Sequence, residues 1–189
     1  LMRRNFMKKI FYFLVAFMFL TGCSCENGNL LNTPTKKVEM FLANYQTLDA
    51  DVLKQLDDVV NNEDAFNQTQ KDKYREIMKK HYQDLTYEIK DEIIDGDTAT
   101  VTTEIEVTDY SKVMKAADTY KNEHSDEFTN DEGVYDESLF IDYRLKQLKD
   151  VKETVKYTID FTLTKIDNEW KLDTLTEEQE NKLHGLYNY

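Results

Sequence analysis

Glycine is scarce in this 189-residue chain, with five in all, and proline occurs once. So few glycines leave no Gly-rich loop to cradle a phosphate, which excludes the nucleotide-binding fingerprints. A single proline excludes a Pro-rich spacer. Cysteine occurs twice, as Cys23 and Cys25. Both lie near the N-terminus, so the body of the chain has no internal disulfide and is stabilised by packing alone. The four serines, at 24, 111, 125 and 138, never stand in Gly-x-Ser-x-Gly, so that nucleophile elbow is excluded. The three histidines, at 81, 124 and 184, are far apart and form no His-Glu-x-x-His. Positive charge is in deficit, with 24 Lys and Arg against 37 Asp and Glu. No basic stripe runs along any segment, which argues against nucleic acid as a partner. The longest apolar run, Ile10 to Leu20, has eleven residues, well short of the roughly 20 needed to span a bilayer.

That short run has a recognisable setting. Arg3, Arg4, Lys8 and Lys9 precede it, and Leu20-Thr21-Gly22-Cys23 follows. A basic start, an apolar middle and a small-residue exit make a secretory signal. Leu20-Thr21-Gly22-Cys23 resembles the lipobox of bacterial lipoproteins: Leu, a small residue, Gly, then Cys. The resemblance implies that the Cys23 thiol receives diacylglycerol and becomes the first residue after cleavage. The alternative, an uncleaved N-terminal anchor, is opposed by the length of the run and by Thr21-Gly22-Cys23. The expected organisation is a signal peptide over 1–22, a lipidated tether over 23–32 and a domain over 33–189. The expected location is the extracytoplasmic face of a bacterial cell membrane. The signal holds four basic residues and no acidic one, so the remainder carries 20 Lys and Arg against 37 Asp and Glu, a formal −17. Such a charge repels anionic lipid, so the domain is expected to stand off the bilayer on its lipid.

Within the domain the apolar period separates helices from strands. Thr33-Pro34 reads as a helix start, followed in helical phase by Val38, Phe41, Leu42, Tyr45 and Leu48. Asp49 or Asp51 caps a second helix bearing Val52, Leu56 and Val60. A third runs from about Thr69 to Tyr82, with Tyr74, Ile77, Met78 and His81 in phase. Leu85, Tyr87, Ile89, Asp91 and Ile93 then alternate with polar residues, as a strand does. Asp95-Gly96-Asp97 is a hairpin signal, and Ala99, Val101, Thr103, Ile105 and Val107 alternate on the return. Helical spacing resumes from Asp109 to His124. An acidic stretch follows from Ser125 to Glu137, and Ser138 reads as the cap of another helix. Val155, Tyr157, Ile159, Phe161 and Leu163 mark a long strand, Asp167-Asn168 a turn, and Trp170 and Leu172 a last strand facing the core. Thr176-Glu177-Glu178-Gln179 has the spacing of a capping box for a terminal helix.

Segregated helices and hairpins make an α+β domain. Ile94-Asp-Gly-Asp-Thr-Ala-Thr-Val101 and Phe161-Thr-Leu-Thr-Lys-Ile-Asp-Asn-Glu-Trp-Lys-Leu172 resemble the strand–turn–strand units of the NTF2-like (cystatin-like) superfamily, found in small Firmicutes lipoproteins. The resemblance implies a Gram-positive source. It also implies a curved antiparallel sheet of about four strands against N-terminal helices, forming a cone whose mouth can hold a ligand. The helices at 110–124 and 138–149 are an insertion between the two hairpins.

Candidate chemistry is sparse. If the strand phases hold, Tyr87, Asp91, Thr103 and Tyr157 face the helices together. A carboxylate with tyrosines in an apolar cone resembles ketosteroid isomerase in residue types, with Asp as base and Tyr as oxyanion donor. Tyrosines lining a core, with Asp91 at a strand end in water, explain the same residues without catalysis. His81 reads as a residue at the edge of the core. The acidic stretch fails the EF-hand pattern, because counting back from Gly133 puts Phe128 at the first ligand position. It reads as a solvated loop, and no metal or cofactor is expected. The expected function is non-catalytic binding of a small apolar ligand or a protein partner, with a homodimer left open. An enzyme using Asp91, Tyr87 and Tyr157 is the alternative.

Overall fold

The computed structural model describes residues 31–188; the signal segment, Cys23, Cys25 and the tether up to residue 30 lie outside the described residues. Helix α1 (Pro34–Gln46) starts where a Thr–Pro pair allows it. The Thr33 hydroxyl accepts the Lys36 N–H, and Pro34 occupies the first turn, where no N–H is needed. Helix α2 (Ala50–Asn61) is capped by Asp49 and α3 (Gln68–Asp84) by a reciprocal Asn67–Gln70 box. Strands β1 (Thr86–Asp95) and β2 (Thr98–Thr108) follow, then α4 (Tyr110–Glu123), a 3₁₀ turn (Ser125–Phe128) and α5 (Glu137–Asp150). Strands β3 (Thr154–Ile166) and β4 (Glu169–Leu172) and helix α6 (Glu177–Leu183) complete the chain.

The four strands form one open antiparallel sheet in the order β1-β2-β3-β4. This is the expected α+β layout, with α4 and α5 inserted between the hairpins. Alternation decides the two faces. Ala99, Val101, Thr103, Ile105 and Val107 of β2 and Tyr157, Ile159, Phe161 and Leu163 of β3 are buried under the helices. Val38 and Leu42 of α1 are fully buried there, and the Phe41 ring stands edge-on to Phe161 at 5.8 Å. The opposite face is polar and bonded across strands, by Thr102 to Asp160 at 2.7 Å and Lys156 to Glu104 at 2.9 Å. Trp170 is buried on the helix-covered face, as its alternation with Leu172 requires.

β4 is short, so β3 has a bare edge before Leu163. α6 covers it: Lys182 Nζ donates to the Thr158 carbonyl at 3.1 Å and Gln179 Nε2 to the Asp160 carbonyl at 2.7 Å. Two expectations in the insertion need correction. The stretch 125–137 is not solvated throughout, because its 3₁₀ turn buries Phe128 against Ala117 and Phe140, with Tyr120 and Tyr143 packed around them. The cap of α5 is Asp136, whose carboxylate accepts the Ser138 N–H at 2.8 Å, while the Ser138 hydroxyl accepts from Gln70.

Candidate functional site

Tyr87 and Ile89 pair with Ile105 and Thr103 and lie on the helix-covered side. The register then slips. Asp91 pairs with Thr102 and Glu92 with Val101, leaving Lys90 as the extra residue of a β-bulge. Because side chains alternate, one inserted residue exchanges the faces of everything after it. Asp91 therefore points to the outer, solvated face with Thr102, and its carboxylate accepts the neighbouring Glu92 N–H. The expected inward position of Asp91 is corrected by this bulge. Glu92 takes the inner side instead, where Oε2 accepts the Thr35 N–H at 2.9 Å and the Thr35 hydroxyl at 2.6 Å. A carboxylate is favourable at this first turn of α1, where the N–H groups are unpaired and the helix dipole is positive.

The remaining members of that constellation stay inward. Tyr157 is buried and its hydroxyl donates to the Tyr187 carbonyl at 3.3 Å. Tyr87 is half-buried, and its hydroxyl is raised above the ordinary phenol range, first by burial and then by the charge of Glu39. Thr103 is fully buried, and its hydroxyl has no hydrogen-bond partner among the described residues. The fold thus gathers Tyr87, Thr103 and Tyr157 on one face and Asp91 on the other. Tyr157, Phe161 and Trp170 fill the inner face rather than lining an opening.

A second group of titratable side chains lies where α3 meets the segment after α6. His81 and His184 are buried beside Tyr45, Tyr82 and Tyr110. His81 stacks on Tyr110 at 4.9 Å, and Tyr82 stands edge-on to Tyr45 at 5.0 Å. His81 Nε2 lies 3.0 Å from the Leu183 carbonyl, which fixes that nitrogen as the donor. Its other nitrogen, Nδ1, has no partner among the described residues. Burial pushes His81 down to about 4; burial and then the neighbouring His81 push His184 down to about 3. Both rings are therefore neutral at physiological pH. His81 is in phase with Ile77 and Met78 in the sequence, so its burial was readable. The meeting with His184 is different: Tyr82 and His184 come together across 102 residues of sequence, and no local spacing signals that.

A small apolar cavity of about 30 Å³ separates α3 from α4 and α5, with Tyr74, Met78, Tyr110, Met114, Leu145 and Arg144 on its walls. That is room for a water or two, and its walls offer a water almost no polar partners. The Arg144 guanidinium is spent on Asp118 and on the Phe140 ring, 4.5 Å away. Among the described residues no three His, Cys, Asp or Glu side chains group as metal ligands, and no helix is long and apolar enough to cross a membrane.

Set against known proteins, residues 7–24 match the model of the prokaryotic membrane lipoprotein lipid attachment site. No curated protein and no solved structure matches the chain. The attachment site supports a membrane-anchored lipoprotein, and Cys23 falls inside it.

Proposed function

We propose that this chain is an extracytoplasmic bacterial lipoprotein, lipidated on Cys23, whose domain is a non-catalytic module that binds a protein partner. The lipid attachment site at residues 7–24 carries the reading. Two acyl chains or more on one cysteine suffice for stable anchoring, where a single chain is marginal. The choice of binding over catalysis is supported by the bulge at Lys90, which separates Asp91 from Tyr87 and Tyr157. The choice of a protein partner over a small ligand is supported by the filled inner face and by a cavity far below the usual volume of a ligand site. The open four-stranded sheet with helices on one face is also what an NTF2-like assignment requires.

The test is to feed cells a clickable fatty acid and fractionate them. Wild type should carry the label and pellet with membranes, and Cys23→Ala should lose both. Mature-sized Cys23→Ala protein that still pellets would overturn the anchor. Native mass spectrometry of the domain drawn from cell extract addresses the partner, where a retained small-molecule adduct would count against a protein-binding module.

A further inference from the structure

We propose that the end of the sheet formed by the two hairpin tips is a membrane-contacting surface, with Leu31, Ile94 and Ile166 resting in the lipid headgroup zone. The inference rests on lipidation of Cys23 and deepens it, by assigning which side of the domain the lipid holds down.

The point where the chain enters the domain is fixed. Asn32 Oδ1 accepts the Trp170 N–H at 2.9 Å, and Asn32 Nδ2 donates to the Asn168 carbonyl at 2.8 Å. Both partners belong to the β3–β4 turn and the strand that leaves it, so the tether ends at the hairpin tips. Eight residue steps separate Cys23 from Leu31; fully extended they reach at most about 29 Å. β2 and β3 are 11 and 13 residues long, on the order of 36–43 Å at strand rise. The tether is thus shorter than the sheet, and the tips are the part of the domain it keeps next to the bilayer.

The same end exposes aliphatic side chains. Leu31 is 60% exposed, Ile93 61%, Ile94 52% and Ile166 45%. Ile94 lies on the helix side of β1, opposite Ala99, yet it is uncovered. The reason is that α1 begins only at Pro34 and meets β1 at Glu92, so the inner face beyond Glu92 has no helix over it. Asp95, Asp97 and Asp167 occupy the turns themselves. Charged turn residues stay hydrated, which limits the contact to headgroup depth.

Charge opposes close approach of the whole acidic domain, the Asp95, Asp97 and Asp167 turns included, but it opposes the other end more strongly. The α4–α5 insertion is rooted at the other end of the sheet, after Thr108 and before Thr154. Between Ser125 and Glu137 it carries six carboxylates and no Lys or Arg, so an anionic leaflet repels it. A tether this short holds the tips at an effective concentration in the millimolar range. A contact too weak to recruit a free domain is then populated.

The experiment uses the lipidated mature chain, with Cys25→Ser, in mixed phosphatidylcholine–phosphatidylglycerol vesicles. A fluorophore is placed at Ile94→Cys, Ile166→Cys or Val134→Cys, the last an exposed position on the insertion. The quencher is a nitroxide on the choline headgroup. Quenching at 94 and 166 should exceed that at 134 several-fold. Equal quenching, or more at 134, overturns the orientation while flotation with the vesicles still confirms the anchor. Failure to float overturns lipidation, and the membrane contact with it.

Discussion

Trp170 is the residue on which most depends. It lies in a four-residue strand, the residue is 6% exposed, and its backbone N–H holds Asn32. The Lys165 ammonium stands 5.6 Å from the ring centroid. Truncating a buried Trp costs about 3–5 kcal/mol, a large part of the ~5–15 kcal/mol that stabilises a domain. Trp170→Ala should therefore shift the urea midpoint strongly downward. It is the only Trp in the chain, so the wild-type emission should be blue-shifted and poorly quenched by iodide. A red-shifted, quenchable emission and a stable alanine variant would mean that the ring is a wet contact surface.

Among the elements, α6 and its exit show how little sequence a fold needs to close a sheet edge. After α6 the chain reverses through Gly185 at φ +67°, with the Gly185 N–H bonded to the Lys182 carbonyl and the Leu186 N–H to the Asn181 carbonyl. This is a Schellman ending, which wants glycine at the left-handed position. The backbone is also tight there, for a Cβ on Gly185 would lie 2.0 Å from the Thr108 carbonyl oxygen. Gly185→Ala should cost about 2–4 kcal/mol by strain and by that clash, read as a lowered urea midpoint with unchanged slope. Gly133, also at positive φ, has open space around it, and Gly133→Ala is the control for strain without a clash.

Most of the elements were legible because each has a strong local cause. The Thr33-Pro34 start, the Asp167-Asn168 turn with both residues at positive φ, and the Thr176–Gln179 box all behave as their residue types dictate. β2 and β3 alternate without interruption, and the residues that alternation turns inward, Ala99 to Val107 and Tyr157 to Leu163, are the buried ones. β1 was not legible in this way, because Tyr87-Glu-Ile-Lys-Asp-Glu-Ile93 reads as unbroken alternation whether or not Lys90 bulges. The bulge goes together with a non-local contact, the reach of Glu92 to the first turn of α1, which no local pattern in β1 signals. The candidate site depended on that phase, and so its carboxylate was placed on the wrong face. The buried histidine–tyrosine group escaped for a related reason: its members come from α1, α3, α4 and the C-terminal segment, which meet only in three dimensions.

At the scale of the whole molecule, that buried group sets how the fold responds to acid. His81 and His184 titrate near 6.5 in an unfolded chain; in the fold burial lowers them to about 4 and about 3. From pH 6.5 down to 4 the unfolded chain binds protons that the folded chain refuses. Stability is therefore fully present above pH 6.5 and falls as the pH drops, by up to ~1.4 kcal/mol per unit for each histidine. His81 alone accounts for a loss on the order of 3 kcal/mol by pH 4. Glu63 and Glu180 act in the opposite sense. Burial raises both, so the fold takes up their protons more readily and regains some stability on acidification. Glu63 is buried and Glu180 half-buried, and together they offset part of the loss that the histidines cause. The net expectation is a urea midpoint that falls steadily between pH 6.5 and 4, with a slope approaching two protons taken up on unfolding. His81→Gln removes one of the two titrating rings and should bring that slope close to one proton, whatever it does to the midpoint at pH 7. If the slope is the same in the variant and the wild type, His81 is not the group that refuses the proton, and acid sensitivity must be sought in the carboxylates instead.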